Sequence, residues 1–217
     1  MTKTIGIIQV KGGAGRSTLA TNLAGELAKK GKTLLVDADQ PQGTAASWFA
    51  VRQSNPKAAG KLIVETADNH QELVQLLDQH KDVEYAVIDC PPRIAELTRA
   101  TLILSDFNLI PVGASTAEIW ATTDILSLIE EANKVKRVDA RMVWTRYRPN
   151  TKLAQELTAL AATELTLPPM HTRIHMRVAY MEALGEGLTA VETNDQNAKQ
   201  EITSLVDETL AILRKKK

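Results

Sequence analysis

The first 39 residues restrict the possible folds most strongly, because they have the pattern of a strand, a glycine-rich loop, a helix and a second strand. Residues 5–10 (IGIIQV) are an apolar run that ends just before a lysine and two glycines, which is typical of a buried parallel strand entering a tight loop. Apolar residues then recur at helical spacing from Ser17 until Gly31. Residues 33–39 (TLLVDAD) form a second apolar run. This order predicts one right-handed βαβ unit, and therefore a parallel sheet.

The same alternation continues through the rest of the 217 residues. Further strands are predicted at the apolar runs 61–67, 85–92, 101–115 (a strand ending near Pro111) and 140–147. Further helices are predicted where apolar residues recur with a helical period, at 70–80, 118–135, 151–165, 178–187 and 195–214. The sequence therefore predicts the α/β class: a doubly wound, mainly parallel sheet with helices on both faces. We expect a single domain over residues 1–217, with ligands at the carboxyl ends of the strands.

Charge and cysteine content narrow the classes of function. Lys+Arg and Asp+Glu are 26 each, so any binding to nucleic acid must use a local basic patch and not the field of the whole protein. The lone Cys90 excludes an intramolecular disulfide and a metal site built from several cysteines, which is typical of a reducing compartment. Neither a signal peptide nor an apolar run of about 18 residues is recognised, so we expect a cytoplasmic protein.

The glycine loop (residues 9–18, QVKGGAGRST) predicts an anion-binding site. Its glycines Gly12, Gly13 and Gly15 let the backbone curl so that successive N–H groups point inward, and the following helix adds its positive N-terminal end. Ser17 offers a hydroxyl to a Mg²⁺ ion that bridges the outer phosphates of a nucleotide, and Thr18 offers one to an inner phosphate. The alternative is a glycine-rich turn that only joins a strand to a helix.

Carboxylates follow two other predicted strands. Asp37 and Asp39 end the second strand in VDADQPQG, and Asp89 ends a later strand in YAVIDCPP. Because the carboxyl ends of parallel strands meet at one edge of a sheet, we expect these acids beside the glycine loop, which Lys11 precedes. For Asp37 the alternative is a helix cap or a salt bridge in the core.

With these three segments, the chain resembles the ParA/MinD family of P-loop ATPases over essentially its whole length. The loop of that family is K-G-G-x-G-K-[ST]-T, and KGGAGRST matches it except at Arg16. The resemblance implies that ATP and Mg²⁺ are the cofactors. It implies nucleotide binding by the residues of the glycine loop, which are Lys11, Gly12, Gly13, Ala14, Gly15, Arg16, Ser17 and Thr18.

The resemblance also implies individual roles. Lys11 matches the lysine that reaches across a dimer interface to the nucleotide of the partner, and Asp39 matches the residue that orients the attacking water, so these two are the predicted catalytic residues. Ser17, Asp37 and Asp89 are the predicted metal site, the two carboxylates acting through water. These groups suffice for phosphoryl transfer, which needs positioning and charge neutralisation more than covalent help.

Three further features of the chain relate to the family pattern. WTRYRP resembles a segment near the nucleotide base, which makes Thr145 and Arg146 candidates for the adenine side, or alternatively a strand end and a solvated charge. Arg16 keeps the positive charge of the usual lysine but is a planar fork and not a compact ammonium, so we expect nucleotide binding with slow hydrolysis. Gln40 lengthens the loop after the second strand by one residue.

Within the family, the chain is most similar to small ParA-type ATPases that position or segregate a cargo. This resemblance implies an ATP-dependent homodimer, binding to nonspecific DNA on the nucleoid, and an adaptor protein of the ParB, ParG or McdB kind. The cargo is a plasmid, a chromosomal origin or a protein organelle such as a carboxysome. The alternatives are a nucleotide-gated binding switch with little turnover and a MinD-like membrane-associated ATPase. The stripe of the last helix favours core packing over a lipid anchor.

Two basic clusters are candidates for contact with the phosphate backbone of DNA. The first comprises Lys134, Lys136, Arg137 and Arg141. The second lies near the C-terminus and comprises Lys199, Arg214, Lys215, Lys216 and Lys217. The alternative for each cluster is a solvated charged surface.

Overall fold

The computed structural model describes residues 2–93 and 96–215. Its sheet has six strands in the order β3-β2-β4-β1-β5-β6, and every pairing is parallel. The strands are β1 Lys3–Ile7, β2 Thr33–Asp37, β3 Leu62–Thr66, β4 Tyr85–Asp89, β5 Phe107–Gly113 and β6 Ala140–Thr145. The helices are α1 Arg16–Ala28, α2 Thr44–Arg52, α3 His70–Gln79, α4 Glu96–Leu104, α5 Thr116–Asn133, α6 Lys152–Glu164, α7 Val178–Gly185 and α8 Gln196–Arg214, with a 3₁₀ turn at Ala190–Glu192. The predicted α/β class with a parallel sheet is confirmed.

Helices cover both faces of the sheet. Strand residues such as Val87 face one side, where they form a core with α1, α2, α7 and α8. Strand residues such as Ile88 and Ile110 face the other side, where α3, α4, α5 and α6 pack. The apolar stripe predicted on the last helix is buried in the first of these cores, through Ile202, Leu205, Val206, Leu210 and Leu213. No helix within the described ranges combines the length and apolar character needed to cross a membrane.

Two helices were not predicted from the sequence. The first is α4. The apolar run 101–115 predicts one strand, but residues up to Leu104 belong to α4 and the strand begins at Phe107. A continuous apolar run does not distinguish a buried strand from a buried helix by its period, which explains this error. The short helix α2 has only three residues with buried side chains, Ala45, Trp48 and Arg52, too few to give a clear helical stripe.

Arg52 ties the end of α2 to the segment between α7 and α8. Its guanidinium forms a two-pronged ion pair with Glu192, with N–O distances of 2.7 and 2.9 Å, and donates to the carbonyls of Gly187 and Ala59. It also lies over the ring of Trp48, 5.0 Å from the centroid. The Arg52–Glu192 pair is almost fully buried, and the guanidinium is bonded to a carboxylate and to two carbonyls. The pair therefore stabilises this corner of the fold.

Glu192→Gln is expected to remove a stabilisation that is present at neutral pH and lost in acid. Burial by itself raises the pKa of Glu192, but hydrogen bonds from Arg52 and from the Thr189 N–H, together with the Lys29 charge, lower that pKa to about 2 from 4.5. The carboxylate therefore stabilises the fold fully above pH 4.5, by roughly 3 kcal/mol, and this contribution is lost as the pH falls through about 2.

Urea unfolding at several pH values measures this effect. Between pH 5 and pH 2 the free energy of unfolding of the unsubstituted protein should fall more steeply than that of Glu192→Gln. Glu130→Gln, at an exposed glutamate of α5, is the matched control and should follow the unsubstituted protein. Parallel curves for all three proteins would show that Glu192 does not have the lowered pKa.

Candidate functional site

The glycine loop leads from the carboxyl end of β1 into α1. Gly13 and Gly15 have φ angles of +79° and +93°, a left-handed conformation that side chains disfavour. A Cβ at Gly12 or Gly13 would meet nothing within 4 Å, so the inside of the loop is open. Gly15 is the N-cap of α1 and supplies no side chain to cap it. The N–H groups of the first turn of α1 therefore remain available, and the loop can bind an anion such as a phosphate.

The strand-end carboxylates meet beside this loop. Asp37 and Asp89 are directly opposite each other in the pairing of β2 with β4. Asp37 accepts hydrogen bonds from the N–H groups of Asp39 and Ala46, at 3.1 and 2.9 Å, and burial is the main cause that raises its pKa. Asp37 thus helps to hold the loop that follows β2 in place. This contact fits the helix-cap alternative for Asp37, and it is also compatible with a role near a metal.

Asp89 has the environment of an unpaired buried acid. Within the described residues, neither of its carboxylate oxygens has a hydrogen-bond partner of good geometry, and the side chain is fully buried. Burial raises its pKa to about 7, while the nearby hydroxyl of Ser17 favours the ionised form. A bound divalent cation would compensate such a carboxylate.

The residues present fit a magnesium ion that is shared with phosphates. Mg²⁺ is commonly held by one or two carboxylates, waters and the oxygens of a phosphate ligand. In residues 2–93 and 96–215, no three His, Cys, Asp or Glu side chains form a preformed metal cluster. The fit therefore depends on Asp89, on the Ser17 hydroxyl in the first turn of α1, and on an anion in the glycine loop.

Arg16, where the family loop has lysine, is buried and hydrogen-bonded to protein groups. The residue is 6% exposed. Its guanidinium donates to the carbonyls of Cys90, Gln9 and Lys11 at 2.8, 2.8 and 2.9 Å, and to the Asp39 carboxylate at 3.1 Å. Four of the five N–H donors of Arg16 are used in these contacts, so binding a phosphate through more than one N–H would require the guanidinium to exchange a partner.

Lys11 has a different environment. It is half-buried at the start of the glycine loop, and its ammonium forms no ion pair with the acids of the described ranges. A lysine in this position is free to contact a phosphate, either in its own loop or on a second molecule.

A cavity of about 160 Å³ adjoins the glycine loop on the side of β6. Thr145 and Arg146, the predicted adenine-side candidates, both line it. Thr145 is buried and donates its hydroxyl to the Ala14 carbonyl at 2.8 Å, so it also fixes the position of the loop. Arg146 adopts a φ of +50° and forms an ion pair with the buried Glu118. Both residues thus line the cavity beside the glycine loop, although Thr145 also ends β6 and the Arg146 side chain is exposed.

The other wall of this cavity was not predicted from the sequence. Residues 174–177 and the first turns of α7, including Tyr180, line it. Glu201 of α8 holds them together: its carboxylate accepts hydrogen bonds from the backbone of His175 at 3.0 Å, from Arg177 at 2.7 and 2.8 Å, and from Tyr180 at 2.7 Å. No local motif marks these residues, because they come from a segment more than 150 positions after the glycine loop.

A sequence profile of the CobQ/CobB/MinD/ParA nucleotide binding domain matches residues 5–190. The chain belongs to this family. The predicted resemblance is therefore confirmed at the level of the family, and the match runs from within β1 through the glycine loop and β6 to the end of α7 and beyond.

Two curated relatives from the ParA side of the family match nearly the whole chain. Maintenance of carboxysome distribution protein A of Halothiobacillus neapolitanus is 28% identical over 211 residues, which cover 95% of this chain and 96% of the relative. The chromosome-partitioning ATPase Soj of Treponema pallidum is 29% identical over 231 aligned residues, covering 87% of this chain and 88% of the relative.

Two solved structures of one protein, McdA, have the same fold. Apo McdA of Cyanothece superposes with a TM-score of 0.81 at 19% identity, covering 96% of this chain and 100% of that chain. A variant of the same protein in complex with ATP gives a TM-score of 0.79 at 18% identity, covering 96% of each chain.

The structure brings only part of the two predicted basic clusters together. Arg137 and Arg141 of the first cluster and Lys215 of the second line one cavity of about 680 Å³, with His171. We call this the basic groove, although Asp139 and Glu208 also line it. Arg141 is the second residue of β6, so the groove lies at the amino edge of the sheet, opposite the glycine loop.

Other members of the clusters lie elsewhere. Lys199 is in the first turns of α8, about 22 Å from the C-terminal end of this helix at 1.5 Å per residue. Lys136 donates to the Ile103 carbonyl at 2.8 Å. Lys134 is exposed and Arg214 ends α8. Lys216 and Lys217 lie outside the described residues.

Proposed function

We propose that this protein is a ParA-type ATPase that binds Mg²⁺ and ATP as a single domain and uses hydrolysis to position or segregate a cargo. The observation that carries the proposal is the pairing of an open, left-handed glycine loop with the buried, unpaired carboxylate of Asp89 at one edge of the sheet. Membership of the family and nearly full-length similarity to partition and carboxysome-distribution proteins support the same function.

In the proposed reaction, the N–H groups of the glycine loop and the ammonium of Lys11 stabilise the negative charge on the phosphates. Ser17 would hold a magnesium ion, with Asp37 and Asp89 acting through water. When bound, this ion neutralises charge on the outer phosphates. Asp39 accepts a hydrogen bond from the attacking water and directs it at the outer phosphate. Thr145 and Arg146 bind on the nucleoside side.

We propose further that ATP joins two copies at the edge that carries the glycine loop. Several apolar side chains are exposed on the helices that begin at this edge: Trp120, which is 62% exposed, Val178 and Met181. They support a surface that a second copy covers. A homodimer formed there would let Lys11 contact the nucleotide of the partner. An adaptor protein of the ParB, ParG or McdB kind would bind the dimer and the cargo.

Phosphate release tests the catalytic part of the proposal. The unsubstituted protein should hydrolyse ATP slowly with Mg²⁺, at a rate that falls to background when EDTA removes the metal. ADP binding measured by calorimetry provides the control for an intact nucleotide site. Nucleotide binding without turnover, even with DNA and the adaptor present, would favour the nucleotide-gated switch over the ATPase. The observation that favours this second candidate is that Arg16, in the position of the usual loop lysine, has its guanidinium bonded to backbone carbonyls.

The proposed dimer should bind duplex DNA of any sequence through the basic groove. About four to eight phosphate contacts give a log–log salt slope of roughly −4 to −7. Arg137→Ala combined with Lys215→Ala should make the slope shallower by about 2 or more, because each lost phosphate contact contributes about 0.9. Lys199→Ala, on the same helix as Lys215 but outside the groove, should have little effect.

Fluorescence anisotropy with labelled duplexes measures these slopes in ATP, ADP and no nucleotide. Equal affinities in all three states would exclude the nucleoid as the surface on which this protein moves. A double variant that keeps the full slope would exclude the basic groove as the DNA contact.

A further inference from the structure

Arg16 connects the segments that follow three different strands. The carbonyls that it contacts belong to Gln9 and Lys11, after β1, and to Cys90, directly after β4; the carboxylate belongs to Asp39, after β2. Arginine has five N–H donors in a fixed planar fork, and four of them are used in these contacts. The guanidinium is therefore held from several directions and has little freedom to turn.

These contacts depend on arginine and not simply on a positive charge. Each of the three carbonyls accepts a hydrogen bond from Arg16. Within the described ranges, no other donor in a loop, turn or side chain bonds to them. Moving the guanidinium to a phosphate would leave these buried acceptors unpaired, which is unfavourable. A lysine has all three donors on one atom at the end of a flexible chain, so it cannot contact four separated acceptors in this way.

We propose that Arg16 is a positioning residue for Asp39 and not a phosphate ligand. Arg16 holds Oδ2 of Asp39 at 3.1 Å, which leaves Oδ1 to accept a hydrogen bond from the attacking water. The charge that the usual lysine supplies to the phosphates then comes from Lys11, the loop N–H groups and the magnesium ion. This inference rests on the proposed ATPase function, because it assigns a partner to the residue that orients the water in that reaction.

Two single variants and their combination test the inference. Arg16→Lys keeps the charge and loses the fork, so it should lower kcat by about 10- to 100-fold through misplacement of Asp39. The dissociation constant for ATP, measured with a fluorescent analogue, should change by less than about threefold, because no phosphate contact is lost. Asp39→Asn should also lower kcat. Adding Arg16→Lys to Asp39→Asn should lower it no further, because the effect of Arg16 passes through Asp39.

A readout in the nucleotide-free protein does not depend on turnover. The turn after β2 is closed by a hydrogen bond from the Gly43 N–H to the Asp39 carbonyl at 2.9 Å. If Arg16 holds Asp39, amide hydrogen exchange at residues 38–43 should be faster in Arg16→Lys and in Asp39→Asn than in the unsubstituted protein. Exchange in α5 should stay the same, which shows that the variants are folded.

Three results would contradict the inference. A tenfold or larger loss of ATP affinity in Arg16→Lys at unchanged kcat would make Arg16 a phosphate ligand. Additive losses of kcat in the double variant would separate its action from Asp39. Unchanged exchange at residues 38–43 would show that Arg16 does not hold this turn. If the unsubstituted protein binds ATP without any turnover, the proposed function fails instead, while the exchange result still decides whether Arg16 positions Asp39.

Discussion

Asp39→Ala is expected to lower ATP turnover by about 10²- to 10⁴-fold, the range found when a positioned acid or base is removed. ATP binding should persist, because the glycine loop, Lys11 and Asp89 are unchanged. The variant should therefore accumulate in its ATP-bound, dimeric form. Steady-state phosphate release gives the turnover, and calorimetry gives the affinity.

Asp68→Ala is the matched control for this variant. Asp68 is an exposed acid that follows β3 at the same edge of the sheet, outside the site. Its replacement should leave turnover and affinity unchanged. If the affinity of Asp39→Ala for ATP collapses together with its turnover, Asp39 is a nucleotide-binding residue and does not orient the water.

Lys11→Ala is expected to abolish the ATP-dependent dimer. A hydrogen bond to a charged group contributes about 1.5–3 kcal/mol, and a symmetric dimer makes the contact twice, so the loss is about 3–6 kcal/mol. Dimerisation should weaken by about 10²-fold or more. Sedimentation with Mg²⁺ should show a monomer with ADP, a dimer with ATP, and only monomer for Lys11→Ala.

Lys57→Ala, at an exposed lysine distant in sequence from the glycine loop, provides the comparison and should dimerise normally. An unsubstituted protein that stays monomeric with ATP would contradict the proposed dimer. A Lys11→Ala dimer of normal strength would instead show that the apolar surface alone holds the two copies together.

The fold and the glycine loop were predictable from sequence because both depend on local patterns. Buried parallel strands are short apolar runs, and left-handed turns need glycine, so residues 5–39 alone indicate the architecture. Asp37 and Asp89 could be placed together because parallel strands bring their carboxyl ends to one edge, and the register of β2 with β4 pairs these two residues directly.

The remaining parts of the site depend on contacts between distant segments. The contacts of Arg16 with the Cys90 and Gln9 carbonyls involve backbone atoms, which leave no mark in the residue types. Glu201 lies on a helix with an ordinary amphipathic pattern, and only the packing of α8 places it against Arg177. Sequence patterns report periodicity and local turns, whereas these contacts arise from how helices pack on the finished sheet.

The position of Glu201 affects how truncated forms of this protein should be interpreted. The family profile ends at residue 190, before α8 begins at Gln196, so a fragment cut at that boundary would look like a natural minimal unit. Such a fragment would lose the carboxylate that arranges one wall of the cavity beside the glycine loop and would expose the core around α1 that α8 covers. Failure of a C-terminal deletion to bind DNA or an adaptor would therefore not locate a partner site on α8, because the deletion also removes these contacts. Point substitutions on the outer surface of α8 are the appropriate means of locating its partners.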